Sequence, residues 1–154
     1  MLPRAAARHH GETLEVKDAQ LEKILRESKT IAIVGLSPDP SKASHGVGSY
    51  LMSQGYEIIP VNPNAEEVLG LKSYPDVPSI GRPVDVVDIF RPSEAVLPIA
   101  GQAIAAGAKV VWMQEGIYHA EAERQAKAAG LQVVMNRCMM KEHYRLIGAK
   151  LDID

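Results

Sequence analysis

The chain has 154 residues, 17 basic and 19 acidic side chains, a formal charge of −2 and one cysteine. That length fits one domain burying about two-thirds of the surface its unfolded form exposes, and the near-neutral balance sets up no global field for nucleic acid or a membrane surface. A single cysteine excludes an intrachain disulfide and makes a reducing, cytoplasmic setting the expectation, while an aromatic content of 5% argues against a base-stacking surface.

No apolar run approaches the ~18 to 20 residues that cross a bilayer. Residues 1–17 contain Arg, His and Ala without an apolar central stretch, so they are expected to form a flexible or peripheral arm rather than a signal or anchor. The remainder is expected to be one domain within 1–154.

Asp18 can cap a helix running to about Ser28, with Leu21, Ile24 and Leu25 on one face and charges on the other. Thr30 to Val34 is apolar throughout, the pattern of a parallel strand covered on both faces. It turns at Gly35 into a Ser/Pro/Lys loop. A helix is expected over about His45 to Gln54, where Val47, Tyr50, Leu51 and Gln54 fall three and four apart. Gly46 and Gly48 cost this helix about 1 kcal/mol each relative to alanine, either for close packing or to leave room for a ligand.

Tyr56 to Val61 reads as the second strand, closed by Asn62-Pro63-Asn64. Ala65 to Leu69 suggests one helical turn, followed by an irregular connection with a short turn near Ser79. Val84 to Phe90 is the third strand. Ser93 can cap the next helix, whose buried stripe is Val96, Ile99, Ala103 and Ile104, although Pro98 sits awkwardly in it. Lys109 to Met113, Ala120 to Ala129 and Leu131 to Met135 continue as strand, helix and strand, and a last helix covers about Met140 to Ile147.

Three helices end in glycine followed at once by an apolar strand, at Gly55, Gly107 and Gly130. This cadence predicts an α/β fold: a Rossmann-like, doubly wound, parallel five-stranded sheet with helices on both faces. The expected strand order is 3-2-1-4-5. Unusual residues then gather at the carboxyl ends of the strands, where open α/β sheets hold ligands.

Gly35 is followed by Leu36, Ser37 and Pro38, so the G-x-G-x-x-G pattern of dinucleotide sites is absent. Strand two ends in Asn62, where a carboxylate would hold the ribose of NAD. A neutral amide admits a phosphate on the ribose, which fits NADP or coenzyme A. Lys42, Lys72 and Arg91 supply cations, and Ser37, Ser41 and Ser44 lie near a helix N-terminus that favours anions.

The run Ile31 to Ser37 with Pro40-Ser41-Lys42, then Pro60 to Pro63, Val84 to Arg91, Gly107 to Ile117 and Asn136 to Met140, resembles the small stand-alone CoA-binding proteins. These are similar to the N-terminal CoA-binding domain of the succinyl-CoA synthetase α subunit. The resemblance covers nearly all of Leu14 to Ile147. It implies that Gly35, Ser37 and the loop from Pro38 to Lys42 face the CoA phosphates and that Asn62 and Pro63 lie by the ribose phosphate; Leu36, Ser44 and Lys72 are counted with them as cofactor-binding residues. It further implies that Phe90, Arg91 and Pro92 flank the adenine, and that Gln114, Glu115 and Gly116 border the pantetheine arm; Cys138, after strand five at the same edge, is counted as a cofactor-binding residue by its position. The synthetase's phosphohistidine and nucleotide-binding subunit belong to segments outside these 154 residues, so ligase activity is not implied.

Cys138 is read as a packing residue or as a thiol able to pair with the CoA sulfur. His143 is expected at the surface, because adjacent helix positions such as Glu142 and His143 do not face each other. His9, His10, His45 and His119 show no ligand spacing, and no metal is expected. Trp112 and Met113 read as core. The expected function is binding of CoA or an acyl-CoA without catalysis, with a second copy of the chain or an acyl-CoA enzyme as partner. The alternatives are an NADP-dependent reductase using Tyr144 and Lys141, or an accessory subunit of an acyl-CoA ligase or acetyltransferase.

Overall fold

The computed structural model describes residues 16–148; the expected arm at 1–17 lies, apart from Val16 and Lys17, outside them. Helix α1 (Asp18–Glu27) leads into β1 (Thr30–Val34), α2 (Ala43–Ser53) and β2 (Glu57–Val61). A small hairpin, β3 (Glu67–Val68) and β4 (Leu71–Lys72), and a 3-10 turn (Pro78–Ile80) precede β5 (Val86–Ile89). Then come α3 (Val96–Ala105), β6 (Val110–Met113), α4 (Ala120–Ala128), β7 (Gln132–Val134) and α5 (Met139–His143), which continues as a π turn (Tyr144–Gly148).

The five long strands form one parallel sheet. Alternation along each strand sends side chains to opposite faces. On one face Ile31, Ile33, Val86 and Trp112 pack under α1, α2 and α5 through Leu21, Leu25, Leu51 and Met139. On the other, Ala32, Val34, Val87, Ile89 and Met113 pack under α3 and α4 through Val96, Ala100, Ala122 and Ala126. The doubly wound Rossmann-like class is therefore as expected, with Trp112 and Met113 both in the core.

The strand order differs from 3-2-1-4-5. The third long strand, β5, lies between β1 and β6, and the order is β2-β1-β5-β6-β7. The outer edge of β2 is occupied by its own connection: the Tyr74 N–H donates to Pro60 O at 3.0 Å, and the Asn62 N–H to Tyr74 O at 2.8 Å. A strand carrying Pro60 has no donor there for a full ladder partner and belongs at an edge.

Local differences have equally plain causes. Residues expected as a helical turn form the β3–β4 hairpin, whose Leu69 and Gly70 sit at φ 57° and 75°, the left-handed pair of a type I′ turn. Asp18 lies in the first turn of α1 rather than capping it. Ser93 opens a 3-10 turn, and its Oγ accepts the Tyr118 N–H instead. Because α3 starts at Val96, Pro98 falls in the first turn, where a missing N–H breaks no helical bond. His143 is buried rather than exposed, its Nδ1 lying 2.9 Å from the Tyr50 hydroxyl. That burial, with a smaller contribution from the Arg26 charge, lowers its pKa. Glu142 turns away to Arg137 and Arg145.

Candidate functional site

The carboxyl edge is built around Gly35 at the end of β1. Its φ of +92° turns the chain out of the sheet, and its N–H donates to Val61 O at 2.8 Å. From there to α2 the loop is held by its own short polar side chains. The Ser37 N–H donates to Ser44 Oγ at 3.0 Å, the Asp39 N–H to Ser37 Oγ at 3.0 Å, and Ser41 gives both N–H and O–H to Asp39 Oδ1. These two donations hold the Asp39 carboxyl below its ordinary value.

Lys42, the residue just before α2, offers the helix's first turn no side-chain cap. First-turn N–H groups of an uncapped helix are an anion-binding feature. Asn62 ties the second loop to the first: its Nδ2 donates to Leu36 O at 3.0 Å and its Oδ1 accepts the Asn64 N–H at 2.9 Å. Asn62→Asp keeps the acceptor and loses the donor. It is expected to cost about 1–2 kcal/mol of stability, read by urea denaturation; an unchanged midpoint would show that the latch carries no stability.

Two cavities open along this edge, and Phe90 is a wall of both. The first, of about 420 Å³, is bounded by Gly35, Asn62, Pro63 and Arg91. The second, of about 480 Å³, is bounded by Gly46 and Val47 of α2, by Gln114 and Glu115 after β6, and by Cys138 and Lys141 at α5. The two thus flank the end of β5. Glu115 and Lys141 pair at 2.9 Å at the second cavity's rim, which raises the Lys141 pKa.

Eight of the residues read from the sequence line these cavities: Gly35, Asn62, Pro63, Phe90, Arg91, Gln114, Glu115 and Cys138. The side chain of Leu36 is in the core, where Gly48 packs on it so closely that a Cβ would stand 3.0 Å from its Cδ1. Ser44 is buried beneath the loop that it braces. Ser37, Pro38 and Lys42 lie on the loop itself, outside both linings. Lys72 stands on the outer hairpin with its ammonium 5.0 Å from the Tyr74 ring centre. Pro92 and Gly116 adjoin lining residues without lining either cavity. The Gly116 N–H is held by Asn136 Oδ1 at 2.7 Å.

Sequence reading missed Asn64, Asp76 and Gln102 on the first cavity and Ile117 and Met140 on the second, and named Lys141, which lines the second, only as a reductase candidate. Asn136, which the sequence reading placed at this edge, sits at φ 60°, a region asparagine tolerates better than other non-glycine residues. Among the described residues no group of three or more His, Cys, Asp or Glu could hold a metal ion, and no helix is long and apolar enough to cross a membrane.

A family model described as a CoA binding domain matches residues 29–144. The chain belongs to the CoA binding domain family. The match spans β1 to the first residue of the π turn and so includes both cavities. This CoA binding domain is 40% identical over 125 residues to the uncharacterized protein YneT of Bacillus subtilis (strain 168), covering 81% of this chain and 93% of that one. A solved structure of a hypothetical protein from Pyrococcus horikoshii OT3 shares 47% identity at a TM-score of 0.84, covering 86% of this chain and 94% of the other. The domain is also 31% identical over 117 residues to acetate–CoA ligase [ADP-forming] II of Archaeoglobus fulgidus, covering 68% of this chain but 17% of the ligase.

Proposed function

We propose that this protein binds CoA or an acyl-CoA along the carboxyl edge of its sheet, without catalysis of its own. The adenosine end occupies the cavity by Asn62 and Arg91, the phosphates meet the N-terminal turn of α2, and the pantetheine arm enters the cavity beside Gln114. The observation that carries this reading is the pair of cavities meeting at Phe90, with Ala43, Gly46 and Val47 from the start of the uncapped helix forming one wall. A long ligand with a polar nucleotide end, an anionic middle and a more apolar arm matches that sequence of surfaces. Arg91 and Lys42 carry cations that no described carboxylate engages within ion-pair distance, so they are available to phosphate oxygens.

Calorimetric titration with CoA, NAD and NADP tests this: a CoA response is expected, and a response to NADP alone would overturn it. A sharper test is Ser37→Asp. The new carboxylate can still accept the Asp39 N–H, so the loop is kept while a charge is placed at the helix entrance. Coulomb repulsion of a few kcal/mol at partly screened distances gives an expected loss of about 10- to 100-fold in CoA affinity. Unchanged affinity would place the phosphates elsewhere.

The similarity to acetate–CoA ligase favours one companion reading, in which the protein serves an acyl-CoA enzyme as a separate CoA-holding partner. Co-purification with such an enzyme is the expected result there; a chain that binds CoA and elutes alone would argue for independent action.

A further inference from the structure

The cavity beside α5 contains two groups that simple shape complementarity to an apolar chain does not require. Gln114 is 4% exposed. Its Oε1 accepts the Met139 N–H at 3.1 Å, no described residue engages its amide nitrogen, and the residue lines the cavity. A carboxamide in a cavity wall whose oxygen is already bonded, and whose nitrogen is not sealed from solvent, can donate to an acceptor on a ligand. Cys138 lines the same cavity. It is the chain's one cysteine, a free thiol, and stands one residue ahead of Met139 where α5 begins.

Resting on the CoA reading above, we propose that Cys138 is a thiol–disulfide exchange site for pantetheine disulfides, so that the protein captures oxidised CoA covalently and releases it on reduction. Gln114 donates to an amide carbonyl of the incoming arm, and the walls formed by Val47, Phe90, Ile117 and Met140 hold the chain that carries the sulfur. The Cys138 thiol first gives up its proton to water. Its thiolate then attacks one sulfur of CoA disulfide; that S–S bond breaks as the bond from Cys138 Sγ forms. The departing CoA thiolate takes a proton from water. The oxidant is the disulfide itself, and a small dithiol reverses the step.

The test uses the full reduced chain incubated with CoA disulfide, desalted without reductant and weighed intact, alongside calorimetry with reduced CoA. One CoA moiety per chain is expected, removed by dithiothreitol. With a single cysteine in the chain, the adduct's location needs no variant. Glutathione disulfide at equal concentration is expected to react at least ten times more slowly. Gln114→Glu keeps the acceptor for Met139 and removes the donor, and is expected to narrow that ratio. A chain that binds reduced CoA but forms no adduct, or reacts equally with both disulfides, overturns this inference and leaves the CoA reading standing. A chain that neither binds CoA nor forms the adduct overturns both.

Discussion

Asp88→Asn is expected to gain stability over the parent protein as pH rises from 4 to 7. Asp88 is in β5, between Ile33 and Trp112 on the neighbouring strands, and is 0% exposed. Neither carboxylate oxygen has a hydrogen-bond partner. Burial raises its pKa well above 3.8, opposed only by the nearby Ile89 N–H, which falls outside hydrogen-bonding geometry. Below 3.8 the folded and unfolded chains both hold the proton, and the carboxyl imposes no pH-dependent cost. Above it the unfolded chain releases the proton while the folded chain retains it. Stability then falls by about 1.4 kcal/mol per pH unit until the folded group ionises too.

Asparagine has nearly the same shape and does not titrate. Its own unsatisfied amide adds a constant offset, so the prediction concerns the slope of the difference. Asp18, Asp39, Asp85 and Glu121, whose pKa values are lowered, act with the opposite sign and lose stability as pH falls, but they are present in both proteins and cancel. Urea denaturation at pH 4, 5.5 and 7 reads the gap. Parallel curves would mean that the carboxyl is paired or hydrated in solution. Asp88 lines neither cavity, so CoA affinity is expected to be unaffected.

What the sequence revealed and what it hid divide along physical lines. The β-branched run from Thr30 to Val34 and the glycine-then-strand cadence are local patterns, and they placed all five long strands to within two residues at either end. Strand order depends on which edge is free, and the one local sign of that was Pro60, inside a strand otherwise read as ladder-competent. The hairpin after β2 was hidden because Leu69-Gly70 lacks the asparagine or aspartate usual in such a turn. Within the site, residues at strand ends were legible because topology collects them. Gln102 was not, and Lys141 was paired with Tyr144 for a reductase rather than placed on the cavity rim, because a residue on a helix reveals its facing only once the helix is docked.

The two glycines of α2 show how far residue type alone can separate structural from functional demands. Gly48 is needed for packing on Leu36, whereas a Cβ at Gly46 would meet nothing within 4 Å, although Gly46 borders the cavity. Gly46→Ala is therefore expected to stabilise the helix by about 0.5–1 kcal/mol, while placing a methyl group toward the space assigned to pantetheine.

Gly35→Ala, one loop earlier, should act with the opposite sign and a larger size. The backbone is at φ +92°, and the new Cβ would stand 2.9 Å from Phe90 O, a main-chain atom that cannot swing aside as a side chain can. Left-handed strain of about 1–2 kcal/mol plus the displaced β5 end gives an expected loss of about 2–4 kcal/mol. The Phe90 N–H holds Val34 O at 2.8 Å, so moving that peptide loosens the junction of β1 and β5. It also moves the wall shared by both cavities, and CoA affinity should fall with stability. Urea midpoints and calorimetry on Gly35→Ala and Gly46→Ala together give the decisive comparison. Opposite stability signs with weakened binding in both are expected. A Gly35→Ala protein of full stability and affinity would mean that this turn does not set the position of Phe90, and the two-cavity site would lose its hinge point.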